Sequence, residues 1–157
     1  LINNTKSAIM LNESLKQIFI RDLNKLKDEI NAYSNEDSVW IIKDHIANSA
    51  GNLCLHLVGN INHFIGDQIG QTGYVRHREL EFSSKGIPKA ALIQKIEETI
   101  QVVDTVLDHI TTEQFAAEFP IQVFGFPMST EYFLIHLATH LSYHLGQINY
   151  HRRLLDQ

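Results

Sequence analysis

The chain has a single cysteine, Cys54, among its 157 residues. That excludes an intrachain disulfide framework and any zinc site built on two or more thiolates. Nor does it contain an apolar run approaching the roughly 18–20 residues that a membrane span requires. Positive charge is not in surplus: 13 Lys and Arg face 18 Asp and Glu, a net charge of −5, with a pI near 6.0. Gripping a nucleic-acid backbone needs clustered positive charge, so neither nucleic acid nor membrane is an expected partner. No signal peptide is legible, and with one buried-type cysteine the expected location is cytoplasmic. What the chain does hold is 44% hydrophobic residues and nine histidines. Its length suits one domain, residues 1–157, with a sizeable core.

Helical periodicity dominates. Over residues 8–32, Leu11, Leu15, Ile18, Phe19, Leu23, Leu26 and Ile30 recur every three or four positions between charged residues, which predicts an amphipathic helix. The run Ser34-Asn35-Glu36-Asp37 breaks it, and the apolar Trp40-Ile41-Ile42 that follows has no assigned type. A second helix is expected over 49–69, capped by Asn48 or Ser49 and ended by the glycines of 66–73. Residues 70–87 read as a long ordered loop, and loops of that length in compact domains are often functional. Pro88 fits the first turn of a third helix, to about Ile110. Residues 111–128 hold two prolines and the Val123-Phe124-Gly125-Phe126 cluster, which suits a loop with a short hairpin. A last helix is expected over 130–155, with Ser129 and Thr130 supplying its cap, Thr130 bonding back to the first amides. Four long amphipathic helices in one small domain imply an all-α fold, a four-helix bundle.

The histidines fall on stripes. Each helical residue advances about 100°, so with His136 at zero, His140 lies at about 40°, His144 at about 80° and His151 at about 60°. Phe133, Leu137, Leu141 and Ile148 fill the adjoining sector, so the stripe borders the core face. On the second helix His56 and His63 lie within about 20° of one another, again beside the apolar sector. His140 and His144 form an H-x-x-x-H pair that can share an ion, and a third ligand from another helix, His56 being the best placed, would complete a three-histidine face. His63 is the alternative third ligand. Neutral imidazole suits zinc, nickel, copper and iron. The competing reading makes these histidines hydrogen-bonded core or boundary residues. His45, His77 and His109 lack such partners and read as incidental. There is no H-E-x-x-H glutamate to act as a protease base and no E-x-x-H of the di-iron bundles. Cys54 falls within the apolar sector of the second helix and reads as packing.

The run His140-Leu-Ser-Tyr-His144-Leu-Gly146-Gln147-Ile148, followed by His151-Arg152-Arg153-Leu154-Leu155, resembles the last helix of the DinB/YfiT-like superfamily. In that pattern the second ligand histidine stands two residues before a Gly-Gln pair. Residues 48–57, ending in Cys54-Leu55-His56-Leu57, resemble the second helix, which supplies the remaining ligand, and residues 70–82 with Arg76-His77-Arg78-Glu79 resemble the loop after it in one subgroup. The resemblance implies a four-helix bundle with two long crossover loops, a homodimer, and a divalent metal, zinc or nickel, held by His56, His140 and His144. It implies a metal-dependent enzyme similar to thiol S-transferases, in which the metal lowers the pKa of a small-molecule thiol that attacks an electrophile. It assigns no catalytic residue of the chain itself. Arg76, Arg78 and Arg152 are candidates for binding carboxylates of such a thiol, against their reading as solvated charges, and Tyr143 is a candidate hydrogen-bond donor at the pocket rim. The alternatives are a non-catalytic metal-binding or stress-response interaction protein, a metal-dependent hydrolase on the same scaffold, and a haem-binding bundle.

Overall fold

A computed structural model describes residues 2–156, with side chains described from residue 11 onward. The fold is all-helical, and no strand occurs among the described residues. The chain runs through α1 (Ile2–Asn31), a 3-10 turn (Glu36–Trp40), α2 (Ala50–Ile61), a π-helical continuation (Asn62–Asp67), α3 (Arg78–Ser83), α4 (Lys89–His109), α5 (Thr112–Ala116) and α6 (Thr130–Leu155).

The apolar stripes become the core. Leu15, Phe19, Leu23, Leu26 and Ile30 of α1 are buried against α4 and α6, where Leu92, Ile96, Val103, Leu107, Phe133, Leu137, Leu141 and Ile148 face them. Polar contacts at the rim fix the pairing. Lys16 reaches Asp108 on α4 at 2.8 Å. On the other side Glu29 takes Arg152 at 2.7 Å and the Asn149 side-chain amide at 2.7 Å. The buried Asp22 accepts a hydrogen bond from the Ser142 hydroxyl at 2.7 Å.

Helix α2 is enclosed on nearly all sides; of its residues only Leu55 is not buried. Small residues permit this, because Ala50, Gly51 and Gly59 let neighbouring elements approach the helix axis. At Gly51 a Cβ would sit 2.6 Å from carbons of the Trp40 ring; of the apolar Trp40-Ile41-Ile42 stretch, Trp40 ends a 3-10 turn and lays its indole on α2, while Ile41 leaves the turn in extended conformation. Ser49 caps α2, accepting from the Asn52 amide.

Three expectations need correction. The segment 70–87 is not all loop, since it contains α3. The expected short hairpin in 111–128 is instead the short helix α5 and one isolated bridge between Glu118 and Ser129. The α6 cap is Ser129, whose hydroxyl accepts from Tyr132 N–H, and not Thr130, which is already the first helical residue. The second helix also changes character near its end. After Ile61 it widens to π geometry, with Gln68 N–H donating to the His63 carbonyl at 3.0 Å, five residues back.

The close approach at Gly51 yields a paired expectation. Gly51→Ala should destabilise the protein by about 1–3 kcal/mol, because the ring cannot yield without moving the turn that carries it. Gly146→Ala on α6 meets open space and should stabilise by about 0.5–1 kcal/mol through helix propensity alone. Urea unfolding followed by Trp40 fluorescence measures both, and equal effects would mean that Trp40 is not held against Gly51.

Candidate metal centre

His56 on α2 and His140 and His144 on α6 bring one ligand atom each to within 4.8 Å of one another. The His140 and His144 Nε2 atoms are 3.1 Å apart, and those of His56 and His140 are 3.4 Å apart. Three imidazole nitrogens at tetrahedral corners around an ion about 2.0–2.1 Å away would be spaced by about 3.3–3.4 Å. Two of the three pairs are already close to that spacing, and the third lies within 4.8 Å.

Hydrogen bonds at the far side of two rings set which nitrogen faces inward. His56 donates its Nδ1–H to Glu81 Oε2 at 2.9 Å, and His144 donates Nδ1–H to Gln147 Oε1 at 2.6 Å. A neutral imidazole carries one proton, so both Nε2 atoms present lone pairs to the cluster. His140 Nδ1 is buried with no hydrogen-bond partner. A single proton on His140 Nε2 cannot bridge to both neighbours with good geometry, so lone pairs converge that a cation would accept together. Carboxylate and amide acceptors behind ligand histidines fix the tautomer and raise ligand basicity, the arrangement found around protein metals generally.

Glu81 is the residue that sequence reasoning missed. It is 6% exposed and lies on α3, inside the stretch read as loop. A buried carboxylate needs compensation, and Arg76 supplies it with two hydrogen bonds, Nε to Oε1 at 2.6 Å and Nη2 to Oε2 at 2.8 Å. Burial works to raise the Glu81 pKa, but the Arg76 and His56 hydrogen bonds outweigh it and hold the carboxyl below its usual range. Gly59 makes room: a Cβ there would collide with Glu81 Oε1. Asn52 fastens α3 in place, its side-chain amide donating to the carbonyls of Glu81 at 3.0 Å and Ser84 at 2.9 Å. The signal available in the sequence was the face of α2 itself, where Asn52, His56 and Gly59 lie on successive turns.

The remaining histidines separate. His151 shares the α6 stripe but not the cluster; it donates Nε2–H to the Ile41 carbonyl at 2.9 Å and accepts at Nδ1 from the Tyr33 hydroxyl at 2.7 Å. His136 stacks on Phe133 and meets the edge of Phe124, with ring centroids 5.8 and 4.7 Å away. His63 sits in the π-helical segment beside Phe64, outside the three-histidine group, and its buried Nδ1 has no partner. His45, His77 and His109 are exposed. Arg152 pairs with Glu29, Arg76 with Glu81, and Arg78 lies over the Phe82 ring at 5.4 Å. Tyr143 is 64% exposed, edge-on to His144 at 5.2 Å, and its hydroxyl accepts from the Gln147 amide at 3.3 Å. Cys54 is fully buried, and burial pushes its thiol up to about 12, consistent with packing.

A family model covering residues 7–157 matches the chain. The chain belongs to the DUF1572 family. That family is described as a protein of unknown function. No curated protein matches the chain. The matched region runs from within α1 past the end of α6, so the three histidines and Glu81 are part of the DUF1572 region and not an appendage to it.

Burial lowers the pKa of His140 from the ordinary 6.5 to about 4, with the neighbouring His144 and His56 rings adding to the effect. Burial also lowers His144, His63 and His136. In each case the unfolded chain takes up a proton that the native state resists, so stability falls as pH drops below about 6.5 and continues to fall toward about 4. Urea unfolding of metal-free protein across that range should show the decline, and His140→Asn should make it shallower. A slope unchanged in the variant would mean that His140 is protonated in the native state.

Proposed function

We propose that the chain is a divalent-metal protein of the DinB/YfiT-like kind, with zinc or nickel held by His56, His140 and His144, and that it is a metal-dependent enzyme resembling thiol S-transferases. The convergence of three imidazoles with acceptors behind two of them is the observation that carries this reading. Buried structural histidines instead complete hydrogen bonds at both ring nitrogens, as His151 does. The reading takes the four long helices, α1, α2, α4 and α6, as a single four-helix bundle with crossovers through α3 and α5. It also takes the chain as a homodimer.

A divalent ion bound there would supply a Lewis acid that holds a small-molecule thiol as its thiolate at neutral pH. The chain's own part is to keep three protein ligands, which leaves room for an exogenous one. Glu81 orients His56 and places a negative charge behind it, raising its donor strength. Arg76 is committed to Glu81 and so positions, with no second carboxylate assigned to it. Gln147 orients His144, and Phe82 packs on the His56 ring at 5.1 Å and limits its rotation.

Three measurements test the reading in sequence. Elemental analysis of protein never exposed to nickel resin should find close to one divalent ion per chain, lost in the His140→Ala/His144→Ala double variant. Glu81→Ala should weaken metal affinity by about 10–100-fold while leaving the ligands in place. Equal affinity in the double variant would remove the site assignment. Conjugation of an electrophile by the metal-loaded chain, screened with several low-molecular-weight thiols and abolished by His140→Ala, would support the enzyme. Metal binding without turnover of any thiol or ester favours a binding protein.

A further inference from the structure

An open-sided cavity of about 370 Å³ lies between the 45–48 loop and the C-terminal half of α6. Both ends of the loop are pinned. His151 donates to the Ile41 carbonyl before it, and Ser49 caps α2 after it. Between them the chain turns through Asp44, whose φ of 54° lies in the left-handed region, with Ile46 N–H donating to the Lys43 carbonyl at 3.0 Å. Non-glycine residues held in that conformation collect at ligand clamps and tight turns. Here the turn carries His45 and Ile46 over the cavity.

The lining decides what such a space accepts. Ile46, Leu53, Leu154 and the Tyr150 ring supply apolar surface, and Gln147 and His45 supply hydrogen-bonding groups. No residue lining the cavity carries a carboxylate, ammonium or guanidinium group. A charged ligand would meet no Lys, Arg, Asp or Glu there, whereas an uncharged one would exchange water for apolar contact. The volume is within the range of small-molecule sites. His151 forms part of the wall, but both its nitrogens are already engaged, so it offers only a ring face.

We infer that this cavity binds a neutral, largely apolar small molecule with one or two hydrogen-bonding groups. Gln147 is the wall it shares with the three-histidine cluster, since the same side chain accepts the His144 Nδ1 proton. The inference goes beyond the metal reading and does not depend on it.

Indole serves as the neutral probe and benzoate as its charged counterpart, titrated into metal-free full-length protein and followed by amide NMR shifts. Saturable shifts are expected at 45–48, at Leu53 and over 147–154, with an indole Kd on the order of 1 mM, as suits a fragment of this size. Benzoate should bind at least about tenfold more weakly, having no counter-charge in the lining. Leu154→Trp, at a position 58% exposed, and Ala47→Trp each place an indole at the cavity and should abolish the shifts while the rest of the spectrum stays folded. Indole that fails to saturate, shifts elsewhere, equal binding of benzoate, or undiminished binding by the folded variants would each overturn the inference. Because no metal is present, none of these outcomes bears on the ligand histidines.

Discussion

Burial of the Glu81 carboxylate is the constraint around which the candidate site is arranged. An ionised carboxylate that is 6% exposed stays ionised only if charged and polar partners replace its hydration. Arg76 and His56 do so together, and Gly59 leaves the space in which they meet. The consequence for His56 is direct. With Nδ1–H committed outward, Nε2 has nothing to donate and points a lone pair at the two histidines of α6. Removing the Arg76 contact would leave the buried carboxylate with His56 as its one remaining side-chain partner.

The same low-dielectric surroundings act on the α6 pair. Desolvation lowers the pKa of both rings, that of His140 to about 4. Three imidazoles at 3.1 and 3.4 Å spacings form an incomplete set of hydrogen bonds by themselves, and a cation would complete it. The contrast with His151 on the same helix is instructive. That ring is more deeply buried, at 3% exposed, but Tyr33 and the Ile41 carbonyl satisfy it fully, and it serves packing and loop attachment.

Much of this was legible from residue spacing. The four long periodic segments appear as α1, α2, α4 and α6, because an apolar residue every three or four positions can be buried in only one way. The His140 and His144 pair follows from one helical turn, and the His56 stripe from its position beside Leu53 and Leu57. Less was legible where structure depends on contacts distant in sequence. The segment 70–87 offered no periodicity long enough to reveal α3, a helix of one and a half turns stabilised by Asn52 from α2. The π-helical turns at 62–67 arise in a stretch whose sequence reads as ordinary helix.

The amino-acid sequence by itself determined the helical fold, the burial of the histidine-bearing faces and the local H-x-x-x-H geometry, since all three rest on periodicity within one element. Tertiary structure alone decided which histidines meet. His63 and His136 lie on the same stripes as the cluster and have the same chemistry, but helix packing turns His56 toward α6 and leaves the other two outside the group. It also decided that Glu81, 25 residues from His56 along the chain, stands behind it. The physical reason is that a stripe is a property of one helix, whereas a convergence of lone pairs depends on how two helices and a short third one are held against each other.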